Sequence, residues 1–208
     1  MRDRILDPDR RRFMKLAFAA PIVFAAGVKL RWLGDASAAD KPPKLLATPE
    51  CGDDDEPTPE ATEGPFFKTH SPLRTSLIEK GTGGTRLVVT GKVFTVGCEP
   101  VSGALIDFWQ ADHDGEYDNA GFKLRGHQFT DAQGQWKLET VMPGVYPGRT
   151  RHIHVRVQAR KGRLLTTQLF FPDEARNRRD FIFDPELVMA LREQSGRREG
   201  RFHFVLPA

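Results

Sequence analysis

Two histidines, His152 and His154, stand one residue apart in the run "VYPGRTRHIHVRV" (145–157), with Tyr146, Arg149 and Arg151 just ahead of them. In an extended strand, side chains at i and i+2 point the same way, with Cα atoms about 6.5–7 Å apart. His152 and His154 then share one face, and Ile153 and Val155 take the other. Two imidazoles so placed can converge on one metal, each nitrogen about 2.0–2.1 Å from it. The spacing suits equally well two histidines on a solvated strand face, so further groups must decide between the two.

Tyrosine usage offers such groups. The chain has 15 Phe and two Tyr, Tyr117 in "DGEYDN" and Tyr146 in "VYPGR". Phenylalanine serves where an aromatic only fills space, and two retained hydroxyls point to a use for the hydroxyl; a loop-edge tyrosine with one hydrogen bond is the plainer alternative. A phenol ionises near pH 10, so it binds a metal at neutral pH only where a strong Lewis acid displaces the proton. Hard anionic oxygen donors suit iron(III) better than zinc or copper(I). Two phenolates and a hydroxide would balance three positive charges, and two neutral imidazoles would complete a site with room for a substrate.

The elements that must carry these residues are short. "RLVVTGKVF" (86–94), "ALIDFWQA" (104–111), "QWKLETV" (135–141), "HIHVRVQA" (152–159), "LLTTQLFF" (164–171) and "RFHFVLP" (201–207) are β-branched and aromatic runs. Turn signals such as "DAQG" and "RKGR" separate them. The pattern predicts an all-β core over 86–208, a β-sandwich of short mixed strands with long loops. One C-terminal helix is expected over "DPELVMALREQ" (184–194), with Asp184 as N-cap, Pro185 at its first position and Gly196 beyond its end. Residues 39–85 include a stretch rich in Pro, Asp, Glu and Thr (40–67) without periodicity, and read as an extended N-terminal arm over the core.

Residues 1–38 have another character: the basic run "DRRRFMK", the apolar stretch "LAFAAPIVFAAGV" (16–28), then a polar tail ending in "ASA". That is the layout of a secretory signal peptide. Thirteen residues broken by Pro21 fall short of the roughly 20 that a membrane-spanning helix needs. "RRRFMK" resembles a twin-arginine motif, with Arg10 and Arg11 as the pair. The expectation is an exported protein, periplasmic or extracellular, that leaves the cytoplasm folded and with its cofactor.

Of the 31 Lys/Arg and 28 Asp/Glu, eight and four fall within 1–38, so the remainder carries 23 and 24 and is close to neutral despite a net charge of +3. A nucleic-acid interface needs a basic patch on the folded domain, and the excess sits elsewhere. The two cysteines, Cys51 and Cys98, can close a disulfide outside the cytoplasm, worth roughly 4 kcal/mol by chain entropy, or stay as buried thiols. His113, His127 and His203 lack partners at ligand spacing, Trp109 reads as core, and Arg151 as support or solvated. Asp112, Asp114 and Asp118 lack the glycine and terminal glutamate of an EF-hand loop and read as a turn that aims Tyr117.

In order along the chain, "TEGPFF" (62–67), "DFWQAD" (107–112), "DGEYDN", "YPGRTRHIHV" and "TTQLFF" (166–171) resemble the intradiol ring-cleavage dioxygenases, nearest to the protocatechuate 3,4-dioxygenase type and its exported single-domain relatives. The resemblance implies a non-haem iron, Fe(III), with Tyr117, Tyr146, His152 and His154 as ligands. It implies that a catechol binds as a dianion and displaces Tyr146, and that O2 opens the ring between the hydroxyl-bearing carbons to a cis,cis-muconate-type diacid. Arg149 matches the arginine that stabilises charge developing on the substrate, a task suited to a guanidinium. Gln168 matches a pocket glutamine, and Gly64 and Pro65 a loop over the pocket mouth. The partners implied are a small catechol and O2, with no nucleic acid and no stable membrane span; a homo-oligomer is compatible with the sequence. "TEGPFF" departs from the common "EGPYY", so that loop offers no phenol to a substrate. A non-catalytic β-sandwich binding module with a His-based metal site is the alternative of a different class.

Overall fold

The computed structural model describes residues 56–194 and 196–207. The signal-like segment and Cys51 lie outside them. Among the described residues, no helix is long and apolar enough to cross a membrane.

Among the described residues, nine strands form two sheets. In chain order they are β1 (Arg86–Thr95), β2 (Leu105–Trp109), β3 (Arg125–Phe129), β4 (Gln135–Val141), β5 (His152–Gln158), β6 (Leu164–Phe170), β7 (Ala190–Gln194), β8 (Arg197–Arg201) and β9 (Phe204–Leu206). One sheet runs β4-β1-β8-β7, with β9 also paired to β1; the other runs β3-β2-β5-β6. β1 joins β4 antiparallel but β8 and β9 parallel, so the strands are mixed as expected.

Alternation makes the core. Leu87, Val89 and Val93 of β1 and Trp136 and Leu138 of β4 face inward. Ile106 and Phe108 of β2 and Ile153, Val155 and Val157 of β5 meet them in the same apolar cluster. A period-2 pattern with one face buried is what a sandwich demands. Leu138 is fully buried, so Leu138→Ala is expected to lower stability by about 3 kcal/mol in urea unfolding. A loss under about 1 kcal/mol would mean that the two sheets do not pack as described.

β5 breaks the pattern usefully. Its first four residues are all buried, because the face opposite the core, which carries His152 and His154, is roofed by the arm. That arm hydrogen-bonds to both sheets: Thr58 N–H to the Val205 carbonyl (3.0 Å), Ala61 N–H to Thr166 (2.9 Å) and Leu77 N–H to Glu139 (2.8 Å). Cys98 is disulfide-bonded, and no free cysteine is present among the described residues.

The helix expected over 184–194 is absent. Asp184 does cap, its carboxylate accepting the Glu186 N–H at 2.9 Å, but only the 3-10 turn Pro185–Leu187 follows. Val188 then bridges Phe170, Met189 N–H donates to the Phe170 carbonyl at 3.0 Å, and β7 pairs with β8. A helix of this length is marginal alone, and an open sheet edge supplies the same backbone with stronger partners. Leu187 and Met189, two apart, are both buried, so the apolar residues serve a strand period. Gly196, expected past a helix end, sits at φ +81° in the tight β7–β8 connection. The run 201–207 is likewise interrupted: β8 ends at Arg201 and β9 begins at Phe204.

Candidate metal centre

β5 presents both histidines on its outer face, and antiparallel pairing sets Trp109 of β2 and Gln168 of β6 on either side of His154. Trp109 lies flat on His154, ring centres 4.9 Å apart and planes 6° apart, which fixes the imidazole plane. Trp109 is buried as expected, yet it packs on the site rather than between the sheets.

The tyrosines come from two loops pressed together. Gly144 N–H donates to the Asp112 carbonyl. Gly115, at φ +92°, approaches so closely that a Cβ there would lie 2.5 Å from the Val145 carbonyl oxygen. The Asp112 carboxylate accepts the Asp114 and Glu116 N–H groups at 3.0 Å, and the Asp118 carboxylate accepts those of Ala120, Gly121 and Lys123. These aspartates build the turns around Tyr117, as the sequence led us to expect. Asp112, His113 and Asp114, the last two exposed, also bring donor atoms within 4.8 Å of one another.

The four expected ligand side chains converge. His152 Nε2 and His154 Nε2 are 3.1 Å apart. Ring centres lie 5.8 Å apart for Tyr117 and Tyr146, 5.7 Å for Tyr146 and His152, and 6.2 Å for Tyr117 and His154. His152 Nδ1 lies 2.7 Å from the Thr150 carbonyl, which can only accept; Nδ1 therefore carries the proton and Nε2 a lone pair. Among the described residues, the Tyr117 hydroxyl is buried without a hydrogen-bond partner. An orphaned hydroxyl costs about 1–3 kcal/mol, and two imidazole nitrogens face each other beside it. These donors fit a cation: one bound among them would satisfy the lone pairs and the oxygen together.

Burial favours the neutral forms of the Tyr117 phenol and of both imidazoles. Burial, then the neighbouring Tyr146, push the Tyr117 phenol above its usual range, against the pull of Arg149 and Arg125. Burial and then Arg149 lower His152 to about 4, and burial with His152 beside it holds His154 well below the usual range. Folding therefore favours the neutral imidazoles. The unfolded chain binds more protons between about pH 6.5 and 4, so the metal-free protein should lose stability as pH falls through that window. A urea midpoint that stays level from pH 7 to 4 would contradict this.

Arg149 is buried and spans the site. Its Nη1 donates to the Tyr146 hydroxyl at 3.4 Å, its Nη2 to Gln168 Oε1 at 2.6 Å, and its Nε to Asp180 Oδ2 at 2.9 Å. Gln168 in turn donates from Nε2 to the Thr62 carbonyl at 2.7 Å, tying the arm to the sheet. Gly64, at φ +68°, lies against His154, where a Cβ would come 3.2 Å from Cε1; Pro65 beside it is exposed. Phe66 stacks on Tyr117 at 4.2 Å, and Phe67 packs edge-on against Trp109 at 5.0 Å with the Arg156 guanidinium over its ring at 3.6 Å. The loop thus gives the site apolar cover.

Two contributors had no sequence signal. Arg125, in the polar strand β3, is buried and donates to the Asp118 and Phe66 carbonyls, joining the Tyr117 loop to the arm. Asp180 lies in "NRRDF", where arginines on its amino side make it look like one member of a solvated charge run.

Comparison with known proteins places this arrangement. The Dioxygenase_C family model, described as dioxygenase, matches residues 62–208. Catechol 1,2-dioxygenase 2 of Acinetobacter lwoffii is 30% identical over 172 residues, 69% of this chain and 62% of that protein. The protocatechuate 3,4-dioxygenase beta chain of Burkholderia cepacia is 34% identical over 118 residues, 48% and 50% of the two chains. The chain thus spans about half to three-fifths of these relatives' length. Among solved structures, the dioxygenase domain of a dioxygenase carbohydrate-binding protein fusion from Streptomyces sp. SirexAA-E has 55% identity and a TM-score of 0.72, covering 74% of this chain and 99% of that one. An intradiol ring-cleavage dioxygenase from Tetranychus urticae has 27% identity and a TM-score of 0.68, covering 73% and 95%. The chain belongs to the intradiol ring-cleavage dioxygenase family.

Proposed function

We propose that this protein is an exported non-haem iron(III) dioxygenase that cleaves a catechol-type ring between its hydroxyl-bearing carbons, using O2, to a cis,cis-muconate-type diacid. The observation that carries the reading is the unpartnered Tyr117 hydroxyl beside two facing imidazole nitrogens, within reach of Tyr146 and Arg149. Tyr117, Tyr146, His152 and His154 would hold the metal; when bound, iron(III) would supply activation of the bound catecholate towards dioxygen.

The chain's own residues supply the rest. Tyr146 is half-buried in a loop that continues into exposed Pro147 and Gly148, which suits it to give way to a substrate and take up a proton at its phenol oxygen. Arg149, a permanent cation, faces that oxygen and would balance anionic charge on the substrate. Gln168 fixes the Arg149 fork through Nη2. Phe66 and Trp109 exclude water around Tyr117 and His154, strengthening every charge interaction inside.

Export rests on the signal-like residues 1–38. The substrate panel that tests the reading is catechol, 3,4-dihydroxybenzoate, hydroxyquinol and chlorocatechols with the iron-loaded protein, monitored for oxygen uptake. Uptake of one O2 per ring with a diacid of matching mass is expected; protein that binds metal but consumes no oxygen with any of them would favour the non-catalytic binding module.

A further inference from the structure

The stretch that separates Tyr146 from His152 is held from outside by a feature that the ring-cleavage reading does not use. Three consecutive residues, Arg149, Thr150 and Arg151, meet three residues spaced three apart, Asp180, Asn177 and Glu174. Arg149 Nε donates to Asp180 Oδ2 (2.9 Å), Thr150 Oγ1 to Asn177 Oδ1 (2.7 Å), and Arg151 Nε to Glu174 Oε1 (2.7 Å). The spacing has a cause. Residues Ala175–Arg179 form a 3-10 helix flanked by Glu174 and Asp180, and at three residues per turn positions i, i+3 and i+6 stack on one line.

One end of this row reaches the site along two paths. Asp180 is buried, and its Oδ2 accepts from both Arg149 Nε and the Thr150 backbone N–H (2.8 Å), while Oδ1 accepts the Ile182 N–H (3.0 Å). Arg149 continues to Tyr146 and Gln168. Thr150, held by its N–H, offers its carbonyl to His152 Nδ1 at 2.7 Å. We infer that Asp180 is a positioning residue: through Arg149 it fixes the cation that faces the substrate, and through Thr150 it fixes the ring orientation and tautomer of His152. The Glu174 carboxylate, at the far end, accepts from Arg151, which also donates to the Pro143 carbonyl, and so anchors the row without touching the chemistry. The inference rests on the ring-cleavage reading.

The test uses the full chain, iron-loaded, with Asp180→Asn, Asp180→Glu and Glu174→Gln. Removing the partner that orients a metal-binding histidine costs roughly 10- to 100-fold, so Asp180→Asn should lose that much in kcat for catechol, with KM within about threefold. Its visible absorption should shift, since Thr150, whose carbonyl orients the His152 ring, loses its carboxylate anchor. Asp180→Glu, which keeps the charge but displaces the carboxylate by one methylene, should recover activity to between about threefold and tenfold below wild type, and Glu174→Gln should stay within about threefold. Wild-type kcat with unshifted absorption in Asp180→Asn would overturn the inference; so would an equal loss in Glu174→Gln, which would mark the row as scaffolding. Should Asp180→Asn not fold, Asp180→Glu decides: reduced kcat at a wild-type melting temperature supports the role, and unchanged kcat overturns it. Should wild-type protein cleave no catechol, the ring-cleavage reading fails by itself. Hydrogen exchange at the Arg149 Nε–H of the metal-free protein then tests Asp180, protection lost in Asp180→Asn being expected and protection retained being contrary.

Discussion

Replacing Tyr117 with phenylalanine should abolish ring cleavage while leaving the metal-free protein more stable than wild type. The hydroxyl is buried and unpartnered, and burial pushes its pKa upward, so in the metal-free protein it contributes only a desolvation cost. Removing such a group returns about 1 kcal/mol or more, measurable as a raised urea midpoint. The same change would delete one of two anionic oxygen donors. Losing several kcal/mol of charge stabilisation means a fall of at least about 1,000-fold in kcat. Opposite signs for stability and activity in one substitution distinguish a functional hydroxyl from a structural one. A variant less stable than wild type when metal-free, or one that still turns over, would show the oxygen to be part of the packing.

Arg149→Met carries the second large effect. Activity should fall about 100- to 1,000-fold, the usual consequence of removing a fixed charge opposite developing negative charge. Stability at neutral pH should fall by about 3 kcal/mol, because the Asp180 carboxylate stays buried without its guanidinium. The pH dependence follows from Asp180. Burial alone would raise its pKa, but the Thr150 and Ile182 N–H groups and Arg149 together hold it below the usual carboxylate range. A depressed pKa contributes stability above the unfolded value near 3.9, lost as pH falls through the folded value. The gap between wild type and Arg149→Met should therefore be widest near pH 7 and close as pH drops below about 4. A gap that stays constant with pH would place the cost in lost packing instead of the stranded carboxylate.

The sandwich was legible because a period of two is hard to hide. β1, β4, β5 and β6 carry it openly, and each lies close to its expected span. The strands that escaped notice are polar: β3 buries Arg125, Gly126 and Gln128, and β7 forms a sheet edge beside β8, with Arg192 and Arg197 both paired to Glu199. β8 takes its partners from distant β1 as well as adjacent β7, and β3 pairs with β2 across a long loop, pairings that no local pattern records. The same holds for 184–194, where start signals and apolar spacing fit a helix and the partner strand β8 decided otherwise.

The site divides similarly. Strand geometry set His152 and His154 on one face and scarcity singled out Tyr117 and Tyr146, but the resemblance was what joined the four into one expected ligand set. Gly64 was placed by resemblance, and its reason is now physical: its φ of +68° favours glycine, and a Cβ there would crowd His154 Cε1 at 3.2 Å. Asp180 and Arg125 were hidden because a buried charge and a solvated one look alike in sequence; only the fold shows which is shielded from water.

The most direct measurement is the visible spectrum of protein loaded with iron, read before and after a catechol analogue is added. Two phenolate oxygens on iron(III) produce a ligand-to-metal charge-transfer band and a red-brown colour. Both the band and a shift on adding the analogue are expected, as is loss of the band in Tyr117→Phe. A colourless protein that retains no iron after expression with ample iron would contradict the assignment of Tyr117, Tyr146, His152 and His154 as its ligands.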